Sequence, residues 1–187
     1  MRLIAGLGNP GKEYRHSRHN LGFMVIDRMA KSHHVSFLMP RFSGRAARIT
    51  ISQEEVTLLK PHTFMNNSGV SVAAAMEKLN LYSDQLIVVH DDLDLPLGRL
   101  RIGFGLSSGG HKGLQSIIDH LGTKDFIRVR LGIGHPEEQD VVDYVLEHFS
   151  KEEWKQADKM IDEACGAVET LVVETLEKAQ NIYNKRT

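Results

Sequence analysis

The stretch Gln85–His90 (QLIVVH) decides the fold class of this sequence. Its central residues form a continuous apolar run, which is typical of a short strand buried on both faces of a parallel sheet. Asp91 follows the run directly, so we expect its carboxylate at the carboxyl edge of that sheet. Ligands of α/β proteins bind at this edge, and the segment is therefore a candidate site as well as a core strand.

Strands alternate with helices on both sides of this stretch. Further strands are predicted at Arg2–Gly6, Ala46–Ile51, Val56–Leu59, Gly98–Ile102 and Phe126–Ile133. Helices are predicted at Asn20–Ser32, Ser68–Leu79 and Leu114–Leu121, and in two stretches of Glu152–Tyr183 that meet near Gly166. The alternation predicts an α/β fold, a single-domain three-layer sandwich over residues 1–187 with a mixed, mainly parallel sheet flanked by helices.

The connections are predicted from polar residues and glycines. We expect a turn at Glu54–Glu55 and a loop over Gly103–Gly110. Ser17 or Asn20 is expected to cap the first helix. Asp140–Phe149 follows neither a helical nor a strand pattern and is assigned to no element.

Composition narrows the class of protein. Hydrophobic residues make up 41% and charged residues 25% of the 187 residues, a balance typical of globular domains. The single cysteine, Cys165, cannot form an internal disulfide, and no apolar run approaches the roughly 20 residues of a membrane span. We therefore expect a soluble, cytoplasmic protein. The net charge of −1 argues against a broad basic surface for nucleic acid but allows a small basic patch.

The loop Gly6–Gly11 (GLGNPG) matches the dinucleotide pattern G-x-G-x-x-G after a strand. Pro10 lacks one of the N–H donors that such a loop offers to a pyrophosphate, and Lys12–Arg18 is a poor amphipathic helix. A nucleotide-dependent enzyme is therefore a rival hypothesis, and a tight turn without a ligand is the simpler one. The amide of Asn9, held at the end of a strand, suits the orientation of a substrate.

His19 is a candidate general base. It lies at the predicted start of a helix, where the helix dipole disfavours the imidazolium, and a neutral imidazole accepts a proton. A surface histidine is the commoner role for one of ten histidines without further context. A nucleophile of another kind is not indicated, because G-x-S-x-G is absent and Cys165 lies in a late helix.

The run His90–Asp94 (HDDLD) allows a metal site, because histidine and carboxylates bind several divalent ions. Such a run is more often the polar end of a strand, and Asp94 before Leu95 and Pro96 suits a turn. Asn66 lies between a predicted strand and a helix, where capping is a common role, although Asn67 or Ser68 could cap the helix instead.

Six segments, in this order, resemble the bacterial peptidyl-tRNA hydrolase family. They are Gly6–Gly11 (GLGNPG), Ser17–Gly22 (SRHNLG), Lys60–Gly69 (KPHTFMNNSG), His90–Pro96 (HDDLDLP), Gly109–Leu114 (GGHKGL) and Arg130–His135 (RLGIGH). Each motif alone is unspecific, whereas the ordered set, over about residues 1–150, is highly specific. The resemblance implies hydrolysis of the ester that links a peptide to the 3′ end of tRNA.

The resemblance also implies roles for particular residues. His19 would take a proton from the attacking water, with Asp91 as its partner, while Asn66 binds substrate and helps to position the water or the oxyanion. Asn9 would distinguish peptidyl-tRNA from free aminoacyl-tRNA. The remaining substrate-binding residues, for the 3′ CCA end and acceptor stem, would be Tyr14, Phe64, Lys112, Asn20, His111 and Arg130. We expect a monomer without metal, cofactor, membrane or obligate protein partner.

Two positions depart from the family pattern. Lys112 stands where the family usually has asparagine, and an ammonium donates hydrogen bonds but does not accept them. Gly103 and Phe104 stand where the family commonly has basic residues, so we expect weaker or rearranged phosphate binding, by Arg130 with Arg99, Arg101 and Lys112 nearby in sequence. A catalytically silent RNA-binding relative of the same fold is the alternative, and the presence of His19 and Asp91 argues against it.

Overall fold

Seven strands form one sheet in this computed structural model, which describes residues 1–37, 40–136 and 139–184. The strands are β1 (Arg2–Gly6), β2 (Pro40–Arg41), β3 (Gly44–Ile51), β4 (Glu54–Pro61), β5 (Leu86–Asp92), β6 (Leu100–Phe104) and β7 (Ile127–Gly132). Their order is β2-β3-β4-β1-β5-β7-β6. The four central strands run parallel, and β2, β3 and β6 pair antiparallel with their neighbours.

Helices cover both faces of this sheet. They are α1 (Leu21–Ser32), α2 (Ser68–Leu79), α3 (Lys112–Leu121), α4 (Val141–Leu146), α5 (Lys151–Val173) and α6 (Leu176–Tyr183). Helices α1, α5 and α6 pack on one face, and α2 and α3 pack on the other. The predicted three-layer α/β sandwich is confirmed. None of the helices within the described ranges is long and apolar enough to cross a membrane.

Strand β5 lies in the middle of the core, as its apolar run predicts. Its residues alternate between the two layers: Ile87 and Val89 pack under α1 and α5, and Leu86 and Val88 pack under α2 and α3. The strand continues two residues beyond the prediction, to Asp92. Asp91 is therefore the second-to-last residue of β5, at the carboxyl end of the parallel strands.

A close approach between α1 and the sheet fixes the start of that helix. A Cβ atom on Gly22 would lie 2.3 Å from Leu7 N and 2.4 Å from Val89 O, so only glycine allows this contact. Phe23 N donates to Leu7 O at 3.1 Å, which joins the helix to the end of β1. The 3-10 turn Arg18–Asn20 directly precedes α1. His19 is thereby placed beside the carboxyl ends of β1 and β5.

Local polar and glycine signals misplaced three boundaries. Glu54 and Glu55 belong to β4, and the turn lies at Ser52–Gln53, where both residues have positive φ. Gly103 and Phe104 belong to β6 and not to the loop that follows it. Gly166 lies inside α5, and the two C-terminal helices meet at Glu174–Thr175 instead.

The predicted helix caps also differ. Ser17 and Asn20 stand before the first helical turns, but neither side chain caps them. Asn67 precedes α2 without a capping side chain, and Ser68 Oγ donates to Met65 O. The unassigned segment Asp140–Phe149 contains α4, which the Asp140 side chain caps.

The edge of the sheet at β6 is covered by side chains from the C-terminal helix. Ile102 N donates to Asn184 Oδ1 at 2.7 Å, and Asn184 Nδ2 donates back to Ile102 O at 2.9 Å. Gln180 Nε2 donates to the same carbonyl oxygen at 3.3 Å. The amide of Asn184 thus pairs with the strand as a neighbouring backbone would.

Replacing Gly22 with alanine should lower the free energy of unfolding by about 1–3 kcal/mol, because the added methyl group meets backbone atoms that cannot rotate away. Gly166→Ala is the matched control, since its methyl group would meet only the Tyr183 hydroxyl at 2.9 Å, the end of a movable side chain. Both changes raise helix propensity. Urea unfolding measures the difference, and equal losses in both variants would contradict the role assigned to Gly22.

Candidate active site

A cleft of about 880 Å³ opens at the carboxyl ends of the parallel strands. Asn9, after β1, and His19, before α1, form one side of it. Residues 64–66, 90–94 and 106–112, together with two arginines of β7 and one face of α4, form the rest. Most of the predicted site residues, although far apart in sequence, are brought together here.

His19 and Asp91 form a hydrogen-bonded pair at the base of this cleft. His19 Nδ1 donates to Asp91 Oδ2 at 2.8 Å. The side chain of His19 is 13% exposed, whereas that of Asp91 is 3% exposed. Because Nδ1 carries the hydrogen, Nε2 of the neutral ring holds a lone pair, and this nitrogen makes no hydrogen bond with the described residues. The arrangement is that of a general base oriented by a carboxylate.

The second oxygen of Asp91 accepts a hydrogen bond from another histidine. His111 Nε2 donates to Asp91 Oδ1 at 3.1 Å. Burial alone would raise the pKa of Asp91, but the two imidazoles outweigh burial and hold the pKa well below its usual range. Asp91 is therefore a carboxylate at neutral pH. The buried His90 packs against His111, and complete burial lowers the pKa of His90 well below its usual value, which keeps that ring neutral.

Nitrogen and oxygen atoms of His19, Asp91 and His111 lie within 4.8 Å of one another, a spacing that a metal ion could bridge. The hydrogen positions do not suit one. His111 Nδ1 accepts from the backbone N–H groups of Gly113 and Leu114, at 3.2 and 3.3 Å, so Nε2 of the neutral ring carries the hydrogen and has no lone pair for a metal. The donor set fits a hydrogen-bonded cluster instead.

The other residues of the run His90–Asp94 do not converge on a common point. His90 Nδ1 donates to the backbone oxygen of Asp91, at 2.6 Å. Asp92 accepts from Arg130 Nε at 2.6 Å and from Asp94 N at 2.9 Å. Asp94 faces His135, at 3.0 Å. Nε2 of His90 is buried without a partner among the described residues, whereas the other polar groups each have their own partner, which supports the strand-end interpretation of this run.

The orientation of the Asn9 amide is fixed by its neighbours. Met65 N donates to Asn9 Oδ1 at 2.8 Å. Asn20 bonds both backbone groups of Asn9, since Asn9 N donates to Asn20 Oδ1 at 2.8 Å and Asn20 Nδ2 donates to Asn9 O at 3.0 Å. With its oxygen occupied, the Asn9 side chain offers its NH₂ group to the cleft.

Phe64 has a strained backbone at the mouth of the cleft. Its φ of 58° with a ψ of 161° is unusual for a residue with a side chain and costs roughly 1–3 kcal/mol. Its ring is 54% exposed. The next residue is Met65, whose N–H group bonds Asn9, so the strained conformation joins this segment to the loop after β1. Asn66 lies in the 3-10 turn Met65–Asn67, and its exposed side chain lines the cleft.

Two arginines of β7, Arg128 and Arg130, give the cleft a basic side, and Arg101 of β6 lies beside it, outside the cleft lining. Arg130 Nε is held by Asp92, which leaves the two terminal nitrogens of the guanidinium for other contacts. Arg101 stands directly opposite Arg130 in the antiparallel pair of strands. Like charges in this arrangement repel, which suits the binding of an anion. Lys112, the first residue of α3, is exposed on the cleft, and its ammonium makes no ion pair with the described residues.

Two predicted site residues do not line the cleft. Tyr14 is partly buried in the turns that follow Gly11. Asn20 is buried, and its amide faces the backbone of Asn9. The residues after Gly11 form bends and turns up to the 3-10 turn at Arg18, so the glycine pattern does not open a helix as a dinucleotide site requires.

Arg128 lines the cleft and holds the loop after β6 in place, a role that the sequence did not predict. Its buried guanidinium donates to the backbone oxygens of Leu106 and Ser107, and burial lowers its pKa to about 10. The signal was present, because Arg128 and Arg130 alternate with apolar residues and so share one face of β7. A Cβ atom on Gly103 would lie 2.5 Å from Leu106 Cδ1, which explains a glycine there.

The alternative nucleophile, Cys165, lies in α5 and outside the cleft. Its thiol is largely buried, and burial raises the pKa to about 12, so the reactive thiolate is scarce at neutral pH. Attack by water is therefore the better-supported chemistry for this site.

The chain is similar to named proteins over its length. A family model described as Peptidyl-tRNA hydrolase matches residues 3–187. The peptidyl-tRNA hydrolase of Pseudothermotoga lettingae is 47% identical over 186 residues, covering 98% of this chain and 97% of that protein. That of Geobacillus kaustophilus is 46% identical over 186 residues, covering 99% of this chain and 100% of that protein.

A solved structure gives the same result. The crystal structure of peptidyl-tRNA hydrolase from Acinetobacter baumannii matches with a TM-score of 0.94 and 35% identity, covering 100% of this chain and 96% of that chain. The similarity extends through the C-terminal helices, beyond the part in which the motifs lie. The resemblance predicted from the ordered motifs is confirmed, and the chain belongs to the peptidyl-tRNA hydrolase family.

Proposed function

We propose that this chain hydrolyses the ester bond between a peptide and the 3′ end of tRNA, with His19 as the general base. The observation that carries the proposal is the His19–Asp91 pair, in which the 2.8 Å contact at Nδ1 leaves Nε2 to take a proton from water. Asp91 keeps the ring in this tautomer and stabilises the imidazolium that forms during attack. A positioned base of this kind contributes roughly 10²–10⁴-fold to the rate.

Asn66 supports the attack from the opposite part of the cleft. Its exposed amide has both a donor and an acceptor, which suits the positioning of the water or a hydrogen bond to the developing oxyanion. Hydrolysis then proceeds by direct attack of water, and the proton taken by His19 passes to the departing ribose oxygen. No serine or cysteine acyl intermediate is required.

The orientation of Asn9 explains how the enzyme would select a blocked amino group. The NH₂ group that faces the cleft donates to the carbonyl oxygen of a peptide bond next to the ester. Free aminoacyl-tRNA carries an ammonium at that place, which donates hydrogen bonds and is positively charged. Two donors cannot pair, so the fixed Asn9 amide disfavours the unblocked substrate.

The basic side of the cleft suits the tRNA backbone. We assign phosphate contacts to Arg130 and Arg101, and a contact with the terminal nucleotides to Lys112. Phe64 offers an exposed ring for stacking on a base, worth roughly 1–3 kcal/mol. Tyr14 would contact the acceptor end from outside the cleft, and Asn20 contributes through Asn9. With these contacts, the 3′ CCA end and acceptor stem would be the bound part of the substrate.

The domain organisation, oligomeric state and localisation that we propose are those expected from the sequence. Residues 1–187 would act as one domain, as a monomer, and in the cytoplasm. The alternative of a catalytically silent RNA-binding relative is less well supported, because RNA binding alone does not require the hydrogen-bonded pair of His19 and Asp91 or the fixed amide of Asn9. The relative from Geobacillus kaustophilus, which this chain matches over the whole length of that protein, is named as a hydrolase.

Replacing His19 with alanine should reduce kcat for release of a labelled peptide from N-acylated aminoacyl-tRNA by about 10²–10⁴-fold, because the base is lost. EDTA should leave wild-type activity unchanged. His33→Ala is the matched control, since His33 follows α1 and lies outside the cleft. Full activity of His19→Ala would sink the assignment of the base, and inactivity of the folded wild-type protein would favour the silent relative.

Replacing Asn9 with aspartate should reverse part of the substrate preference. The carboxylate still accepts from Met65 N, but it presents an acceptor in place of the NH₂ group. Activity on N-acylated aminoacyl-tRNA should fall about tenfold or more, and the preference over free aminoacyl-tRNA should shrink. Asn9→Ala, which lowers activity without attracting an ammonium, is the comparison. An unchanged preference in both variants would show that Asn9 does not select the substrate.

Replacing Arg130 or Arg101 with alanine should raise KM for full-length tRNA substrates about tenfold, because a charge-assisted phosphate contact is lost. Each loss should also lower the dependence of log KM on log salt concentration by about one. Arg48→Ala, an exposed arginine on β3 away from the cleft, controls for the loss of one charge. If all three variants had the same KM as the wild type, the basic side would not bind the substrate.

A further inference from the structure

His111 occupies an unusual position, at the start of a helix and beside a buried carboxylate. Its Nδ1 atom accepts from the N–H groups of Gly113 and Leu114, in the manner of an N-cap residue of α3. Its Nε2 atom donates to Asp91 Oδ1 at 3.1 Å. Both ring nitrogens are therefore occupied, and the side chain is only 9% exposed. Little of His111 remains to contact a substrate.

The helix cap determines which nitrogen of His111 bears the hydrogen. Backbone N–H groups can only donate, so Nδ1 of the neutral ring must be the acceptor and Nε2 must be the donor. The ring packs against two others, with its centroid 5.0 Å from that of His19 and 5.1 Å from that of His90. A helix terminus and two neighbouring rings thus fix the direction of the hydrogen bond to Asp91.

We propose that His111 is a positioning residue, which acts through Asp91 on the base and does not bind the substrate. This inference rests on the proposed role of His19 as the base. By donating to Oδ1, His111 turns the carboxylate so that Oδ2 meets His19 Nδ1, and it takes up part of the negative charge of Asp91. Asp91 consequently orients His19 but does not stabilise the imidazolium so strongly that His19 keeps the proton it took from water.

Other ionisable groups face this part of the cleft. They are His19 beside α1, His90, Asp92 and Asp94 at the end of β5, Lys112 on α3, and Arg128 and Arg130 on β7. Arg130 and Asp92 form an ion pair, and Asp94 pairs with His135. Among these side chains, only His19 and His111 donate to the carboxylate of Asp91.

Two substitutions separate the cap from the hydrogen bond to Asp91. In His111→Asn the amide oxygen can replace Nδ1 as the cap of α3, but the shorter side chain ends before Asp91. In His111→Gln the longer amide can replace Nε2 as the donor to Asp91, but it no longer suits the cap. His111→Asn should therefore keep the melting temperature and have a lower kcat, whereas His111→Gln should lower the melting temperature and retain more activity than His111→Asn.

Steady-state kinetics on N-acylated aminoacyl-tRNA tests the role of the bond. In His111→Asn, kcat should fall about tenfold with KM little changed. The acidic limb of the pH profile of kcat/KM should move to higher pH, because Asp91 without this donor attracts the proton on His19 more strongly. A raised KM with unchanged kcat and an unchanged acidic limb would mean that His111 contacts the substrate, and would overturn the proposal.

A second measurement does not depend on activity. Nitrogen-15 NMR of the wild-type protein should show the hydrogen of His111 on Nε2 and that of His19 on Nδ1. A hydrogen on Nδ1 of His111 would overturn the proposal whether or not the protein cleaves its substrate. An inactive wild-type protein with the expected tautomers would count against the hydrolase function alone.

Discussion

The structure depends on the burial of one carboxylate. Asp91 is 2% exposed at the end of the central strand, and a charge in such a place is costly unless each oxygen has a donor. The two donors come from different parts of the chain, His19 before α1 and His111 before α3. Helices α1 and α3, on opposite faces of the sheet, must therefore both begin beside Asp91. The cleft lies between their N-termini.

This arrangement gives each histidine of the cluster a different task. His90 is buried and neutral, and its Nδ1 donates to a backbone oxygen. The ring of His111 has partners at both nitrogens, whereas His19 has one partner and a free nitrogen in the cleft. His111 differs from the other two by its hydrogen bonds, whereas His90 and His19 differ by burial: Nε2 of His90 also lacks a partner among the described residues but is shielded from the cleft, so His19 is the one of the three placed to accept a proton from water.

The sequence predicted the layers and most elements, because apolar periodicity reflects burial directly. Glu54 and Glu55 misled the turn prediction, since they are the exposed first residues of β4, where charged side chains are tolerated. In the candidate site, motif order predicted His19, Asp91 and Asn9, which meet in the cleft, but it could not show that Asn20 contacts the backbone of Asn9. Contacts of that kind depend on tertiary geometry, which one-dimensional patterns do not record.

The amide of Asn184 at the β6 edge has a consequence for how this protein meets other chains. An unpaired strand edge is a template for strand addition and, at high concentration, for aggregation. Because Asn184 bonds both backbone groups of Ile102, an incoming strand would have to displace the C-terminal helix before it could pair there. The C-terminal helix and Asn184 thus block the addition of a strand at Ile102, and the exposed side chain of Arg101 next to it remains accessible.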